Sequence, residues 1–146
     1  MANYRTHSTF NLLIALPLFL AGGYYYLHLE PIPLIAFGAI FSYGTLFLSP
    51  DLDLAYQIKV GSLRGLLTLP FRPYSRLFRH RGLSHMPILG TITRVIWLAL
   101  IILAIFYILN MGHQPFVSFI KAHREIFLYS LAGLIAADLS HLLLDL

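Results

Sequence analysis

Histidine and acidic residues recur at positions that the apolar segments of this sequence would bring to one place. The candidates are His7, Asp51, Asp53, His80, His85, Asp138, His141 and Asp145. Neutral imidazoles and carboxylates, in a chain without cysteine, are suitable ligands for Zn²⁺, Mn²⁺ or Fe²⁺. A bound metal of this kind makes hydroxide available at neutral pH, and two metals together suit phosphoester cleavage. The residue types therefore predict a divalent metal site that is able to catalyse hydrolysis.

The stretch FRHRGLSHMPILG, residues 78–90, carries this pattern at its highest density. His80 and His85 flank Arg81, whose guanidinium group would hold an anionic substrate group through two parallel hydrogen bonds. Basic residues beside an apolar segment also arise from membrane topology alone. The sequence leaves open whether Arg81 binds substrate or lipid.

A second concentration of candidate ligands lies near the end of the sequence, in DLSHLLLD. At 100° per residue, Asp138, His141 and Asp145 fall on one stripe of a helix, and the residues between them are mostly leucine. Ionisable side chains in an apolar helix are costly unless they face a partner or a cavity. We therefore expect this stripe to face the interior of a helical bundle.

The elements that position these residues follow from the composition. The chain has 146 residues, a mean hydropathy of +0.76 and only 11% charged residues, which is typical of an all-α integral membrane protein. We expect one membrane domain over residues 1–146, with the N-terminal apolar run retained as a span. The sequence predicts four transmembrane helices, at about residues 9–29, 33–48, 88–109 and 126–144.

The segment between the second and third predicted spans is basic and partly apolar. By the positive-inside rule this loop is cytoplasmic, which places both termini in the cytoplasm and the candidate ligands at the cytoplasmic end. Leucines alternate with arginines in the loop, a mixture that can lie in the membrane interface among lipid phosphates. We expect lipid to be the partner, and no nucleic-acid fold is recognisable.

The motifs together resemble a known family. HRGLSH resembles the signature of bacterial membrane-bound metal-dependent hydrolases, the YdjM-like group, and is closer still to a sister group of uncharacterised metal-binding membrane proteins. An early histidine, PDLD at residues 50–53 and the terminal D-x-x-H-x-x-x-D also match. The resemblance implies a location in the bacterial inner membrane. It also implies a distant similarity to phospholipase C and P1-type nucleases, which hold three zinc ions, so we expect one to three ions with zinc preferred.

The resulting hypothesis is a metal-dependent hydrolase of a phosphoester or lipid-linked substrate at the cytoplasmic membrane face. Its metal ligands would be His7, Asp51, Asp53, His80, His85, Asp138 and His141. Asp53 or Asp145 would be the general base, and Arg81 would bind substrate. Two alternatives stay open: a metal-binding carrier or sensor without catalysis, and a polar cluster that only holds the helices together.

Overall fold

The computed structural model describes residues 4–48, 61–77 and 88–144, and over these residues the protein is helical without a strand. The helices are α1 (Tyr4–Tyr25), α2 (Pro31–Phe47), α3 (Leu63–Leu67), α4 (Arg72–Leu77), α5 (Leu89–Ile108), α6 (Gln114–Ala122) and α7 (Arg124–Leu143), with a 3-10 turn at Leu69–Phe71. The predicted all-α fold is confirmed at this level.

Three helices, rather than the four predicted, have the length and apolar composition needed to cross a membrane: α1, α5 and α7. The second predicted span is present as α2, but it has 17 residues and is therefore about 26 Å long. The hydrocarbon core of a bilayer is about 30 Å thick. Prolines at the start of α2 set its first turn, and the helix ends at Phe47, so the apolar segment yields a shorter helix than the others.

Contacts between the long helices define their directions. The Tyr4 hydroxyl donates to the Leu46 carbonyl at 3.0 Å, which places the start of α1 beside the end of α2. Arg94, near the start of α5, contacts both Leu48 and Asp138. The starts of α1 and α5 therefore meet the ends of α2 and α7 at one end of the bundle, called here the polar end.

Helices α2 and α7 run parallel and approach closely through small residues. A Cβ atom on Gly133 would lie 2.4 Å from the Phe37 carbonyl oxygen, and one on Gly44 would lie 2.7 Å from a methyl group of Leu134. Glycines that let two backbones approach are typical of helix pairs in membranes. This contact fixes the position of α7, and with it the position of the acid–histidine stripe.

Helix α1 contains a π-helical turn, Asn11–Ala15, shortly before Pro17. Since proline has no N–H, the carbonyl group one turn before it lacks its usual donor, and a wider turn there costs little. The π-helical turn carries Asn11, which is fully buried. The irregular turn therefore supplies a polar residue to the interior of an apolar helix.

The basic segment at residues 61–77 is attached to α5 by aromatic residues. Phe71 and Tyr74 are buried, the Tyr74 hydroxyl lies 2.8 Å from Thr93 Oγ1, and the Trp97 ring N–H donates to the Pro70 carbonyl at 2.9 Å. Several leucines of the segment stay exposed: Leu66, Leu67, Leu69 and Leu77. The segment therefore has a buried aromatic side and an exposed leucine side.

Helix α6 was not predicted from the sequence. Its nine residues follow a glycine with a positive φ angle, Gly112, and begin with Gln114 and Pro115. Phe116 and Ile120 are half-buried, whereas Lys121 is exposed. The connection between α5 and α7 is therefore partly helical and amphipathic.

Candidate metal centre at the polar end

Two of the predicted ligands, His7 and His141, meet in the interior although they stand at opposite ends of the sequence. Their ring centroids are 3.8 Å apart and their planes differ by 14°, so the rings are stacked. Both side chains are only 3% exposed. The pair therefore places two imidazole rings, each a potential nitrogen ligand for a metal ion, in the interior of the bundle.

The stacked geometry limits how the pair can hold metal. A ring nitrogen directs its lone pair in the plane of the ring, and the planes of His7 and His141 are nearly parallel. In-plane lone pairs of parallel rings do not converge on one point. As arranged, the pair suits one ion for each ring better than a single shared ion.

A second polar contact at this end joins Asp138 to Arg94. Arg94 donates from Nη2 to Oδ2 at 2.5 Å and from Nη1 to Oδ1 at 3.2 Å, which makes the ion pair bidentate. Thr91 donates to the same carboxylate through its hydroxyl group. The Arg94 side chain is 1% exposed and that of Asp138 is 4% exposed. Asp138, predicted as a metal ligand, thus compensates a buried guanidinium charge.

Arg94 also bonds to backbone carbonyl groups, one in the first turn of its own helix α5 and one at the end of α2. Its Nε donates to the Gly90 carbonyl at 2.9 Å, and its Nη1 donates to the Leu48 carbonyl. The last carbonyl groups of a helix lack partners within the helix, so a positive donor is favourable there. Arg94 consequently links α2, α5 and α7 at the polar end and leaves little of its own hydrogen-bonding capacity unused.

Asn11 lies one turn after His7 on α1 and contacts the residue before Asp138 on α7. Its amide nitrogen donates to Thr45 Oγ1 at 3.2 Å and to the Ala137 carbonyl at 3.0 Å, and so connects α1 with α2 and α7. Among the described residues, the Asn11 Oδ1 and Ser8 Oγ atoms are buried without a hydrogen-bond partner. Buried oxygen atoms that lack a donor are costly, so these two favour a cation, a donor side chain or water nearby.

Of the three predicted ligands that the structure describes, His7 and His141 are in contact, whereas Asp138, one turn before His141 on α7, pairs with Arg94. The other predicted site residues lie outside the described residues: Asp51, Asp53, His80, Arg81, His85 and Asp145. Within residues 4–48, 61–77 and 88–144, no three histidine or acidic side chains form a complete ligand group. The ligand set as a whole therefore stays a prediction, and so do the roles of Asp53, Asp145 and Arg81.

The histidine pair is suitable as part of a metal site. It provides two buried nitrogen ligands, and buried oxygen atoms of Asn11 and Ser8 lie on the same helix as His7. Nitrogen ligands of this kind suit Zn²⁺ and its neighbours among the transition metals. At the polar end, Leu48 lies at the end of α2 and Ile88 at the start of α5. In sequence, these two residues border the two segments that carry the remaining predicted ligands.

Sequence reasoning missed Arg94, Thr91 and Asn11. The signal for Arg94 was present, because an arginine within a long apolar run is rare and implies an acidic partner or a backbone acceptor. Asn11 and Thr91 gave no such signal, since uncharged polar residues in apolar helices commonly bond to their own backbone.

The described residues define a helical protein with apolar helices of membrane length, and with a buried histidine pair and a buried ion pair at one end. The chain belongs to the family described as "Uncharacterized metal-binding protein (DUF2227)", whose model matches residues 2–146. A protein of Aquifex aeolicus (strain VF5), described as "Uncharacterized protein", is 34% identical over 128 residues, which cover 77% of this chain and 89% of that protein. No solved structure matches.

Proposed function

We propose that this protein is an integral membrane protein that holds divalent metal ions at the polar end and uses them to hydrolyse a phosphoester or lipid-linked substrate. The observation that carries the metal site is the buried, stacked pair of His7 and His141 in a chain of a metal-binding family. The motif HRGLSH and its resemblance to the YdjM-like hydrolases support the hydrolase class.

The membrane assignment is supported by the exposed surface of the long helices. Large apolar side chains are exposed along them, with Leu18 at 67%, Ile35 at 69% and Ile108 at 76%. An apolar surface of this extent is unfavourable in water and is expected where lipid covers the protein. We place the polar end at the cytoplasmic face of the bacterial inner membrane, because the basic segment lies at that end.

The metal site would combine His7 and His141 with ligands from Asp51, Asp53, His80 and His85. Because the two stacked rings are nearly parallel, each would offer its nitrogen to a separate ion, which supports two ions over one. When bound, such ions activate water and stabilise the charge on a phosphoryl group. Zinc is our preferred metal, since histidine nitrogen and aspartate oxygen atoms are among its usual ligands.

The residues of the chain would divide the remaining tasks. Arg81 would hold the anionic group of the substrate, and Asp53 or Asp145 would accept the proton of the attacking water. Asp138, paired with Arg94, would keep α7 and α5 in place beneath the site, whether or not it also contacts a metal ion. Without hydrolysis, the same site would describe a metal carrier or sensor, which is the alternative function.

The experiment that tests the metal site is elemental mass spectrometry of the full-length protein purified in detergent. We expect at least one equivalent of zinc, manganese or iron in the wild type, and its loss in His7→Ala and His141→Ala. His113→Ala is the matched control, because His113 is exposed at the opposite end of α5 and bonds only to the neighbouring Gln114 among the described contacts. Metal retained by both His7→Ala and His141→Ala would contradict the proposal.

The hydrolase step has its own test with a panel of phosphodiesters and phospholipids. Hydrolysis by the metal-loaded wild type should disappear on chelation, return on adding metal, and be absent from His141→Ala. A protein that binds metal stoichiometrically yet hydrolyses none of the panel would favour the carrier or sensor.

A further inference from the structure

A long apolar groove of about 330 Å³ lies between α2, α5, α6 and α7. Its walls are formed by aliphatic and aromatic side chains, with the Ser130 hydroxyl group and Tyr43 as the polar exceptions. Representative lining residues are Ile40, Val95, Ile102, Phe116, Phe127 and Leu134. The groove is separate from the histidine pair, and neither His7 nor His141 contributes to its walls.

The inner end of the groove lies beside the polar end. Leu48 lines the groove, and its carbonyl group accepts a hydrogen bond from Arg94. From Val95, the next residue on α5, the groove extends to Ile102, a distance of about 10 Å along the helix axis. At its other end, Phe116 and Ile120 of α6 form the wall. The groove therefore runs from the polar end towards the opposite end of the bundle.

The inner end also lies beside the basic segment. Phe71 and Tyr74 pack with Leu48 and Leu134 in one buried cluster, so the segment lies against the inner end. Residues 61–77 contain three arginines, Arg64, Arg72 and Arg76, and no acidic residue. Arg76 is exposed on α4. A groove that is apolar along its length and borders a basic segment at one end is complementary to an amphiphile with an anionic head.

We propose that this groove binds one acyl chain of an anionic phospholipid, with the phosphate group towards the basic segment. The volume lies near the lower limit of about 300 Å³ for ligand pockets, which suits a single chain rather than a whole two-chain lipid. The lipid site depends neither on bound metal nor on hydrolysis. If the hydrolase proposal also holds, the groove presents a lipid head group beside the polar end and so specifies the substrate class.

Trp97 is a natural probe of this groove, because it is the only tryptophan in the chain and packs against the cluster at the inner end. The experiment adds lysophosphatidylglycerol with a brominated acyl chain to the full-length protein in detergent and measures quenching of Trp97 fluorescence. Quenching by a bound chain saturates, whereas quenching by lipid mixed into the micelle rises linearly. We expect a saturating curve in the wild type.

Two pairs of variants separate the groove from the general lipid surface. Ala99→Phe and Ser130→Phe place a ring in the groove from α5 and α7, respectively. Ala104→Phe and Ala132→Phe place the same ring at exposed positions of the same helices, outside the groove. The groove variants should raise the half-saturating lipid concentration about tenfold, and the controls should stay within about twofold of the wild type. Ser130→Phe serves if Ala99→Phe does not fold.

The outcomes distinguish the possible ligands. Weaker binding of brominated lysophosphatidylcholine, with no competition from inorganic phosphate, supports an anionic lipid. Competition by inorganic phosphate alone would contradict lipid binding and favour a site for a free anion. Linear quenching, or equal half-saturating lipid concentrations in the groove and control variants, would contradict the groove as the binding site. The His141→Ala variant should bind lipid normally, so a failure of the metal site and a failure of the lipid site give different results.

Discussion

Helix α7 contacts its two neighbours α2 and α5 in different ways. Against α2, glycines allow the two backbones to approach so closely that a Cβ atom on Gly133 would collide with the Phe37 carbonyl oxygen. Against α5, the Arg94–Asp138 ion pair joins the helices at the polar end, and farther along they border the apolar groove. The contact of α7 with α2 thus depends on close packing, and its contact with α5 depends on an ion pair.

This difference suggests a division of work between the two faces. The close contact with α2 fixes the position of α7 along its axis and its rotation about that axis. This placement holds His141 against His7. The α5 side is held at one end and leaves space for a ligand beside it. Buried ion pairs are weak contributors to stability but strongly destabilising when one partner is lost. Substitutions on the two faces should therefore differ in size and in what can rescue them.

The largest effect is expected for Arg94→Leu. This change leaves the Asp138 carboxylate buried without its positive partner and removes the donor to the Leu48 carbonyl. We expect the free energy of unfolding to fall by about 3–5 kcal/mol. Thermal unfolding in detergent, followed by circular dichroism, measures it. A melting temperature equal to that of the wild type would show that the ion pair is not formed in the folded protein.

The matched experiment is the double variant Arg94→Leu/Asp138→Leu. Replacing both charges with apolar side chains removes the unpaired charge, so much of the lost stability should return. The double variant also separates two roles of Asp138 that a single substitution confuses. Metal retained in a folded double variant would mean that Asp138 is only the partner of Arg94, whereas metal lost from it would identify Asp138 as a ligand.

An intermediate effect is expected for Gly133→Ala on the α2 side. The new methyl group would lie 2.4 Å from a backbone oxygen atom that cannot rotate away, so the helices must separate. Overpacking of this kind costs about 1–3 kcal/mol. Gly22→Ala is the control, because a Cβ atom there meets nothing within 4 Å, and alanine should stabilise helix α1 by about 0.5–1 kcal/mol. Equal melting temperatures for both variants would contradict the close contact.

Much of the fold could be predicted from the sequence, because long apolar runs form helices that need no specific partner to be recognised. The four runs correspond to α1, α2, α5 and α7, with ends displaced by a few residues. The predicted second span, about residues 33–48, agrees in length with α2, but this helix of 17 residues is shorter than the three helices that could cross a membrane. Helix α6 was missed because it is short, amphipathic and begins after Gly112, where turn residues predominate.

The candidate site could be predicted only in part. The pattern of His7, Asp138 and His141 at one end of the spans follows from topology, and the structure places all three there. That Asp138 is bound by Arg94 depends on the rotation of α5 against α7, which the hydropathy of an almost uniformly apolar helix does not specify. The π-helical turn that directs Asn11 inward likewise depends on packing, so it could not be predicted from the sequence.

The smallest effect is expected for Tyr74→Phe, which tests how the basic segment is attached to the α5 side. The change removes the hydroxyl group that lies 2.8 Å from Thr93 Oγ1 and keeps the ring in its buried contact with Phe71 and Trp97. Loss of one such hydrogen bond costs about 1 kcal/mol.

The free energy of unfolding should fall only slightly more in Tyr74→Phe than in Tyr26→Phe, the control at a tyrosine that is 85% exposed. The sensitive measurement is Trp97 fluorescence, because the Trp97 ring lies 6.0 Å from that of Tyr74 and donates to Pro70 in the same segment. If the segment is held by this contact, Tyr74→Phe should increase quenching of Trp97 by aqueous iodide, and Tyr26→Phe should not. Unchanged quenching in both variants would mean that the apolar cluster alone attaches the segment.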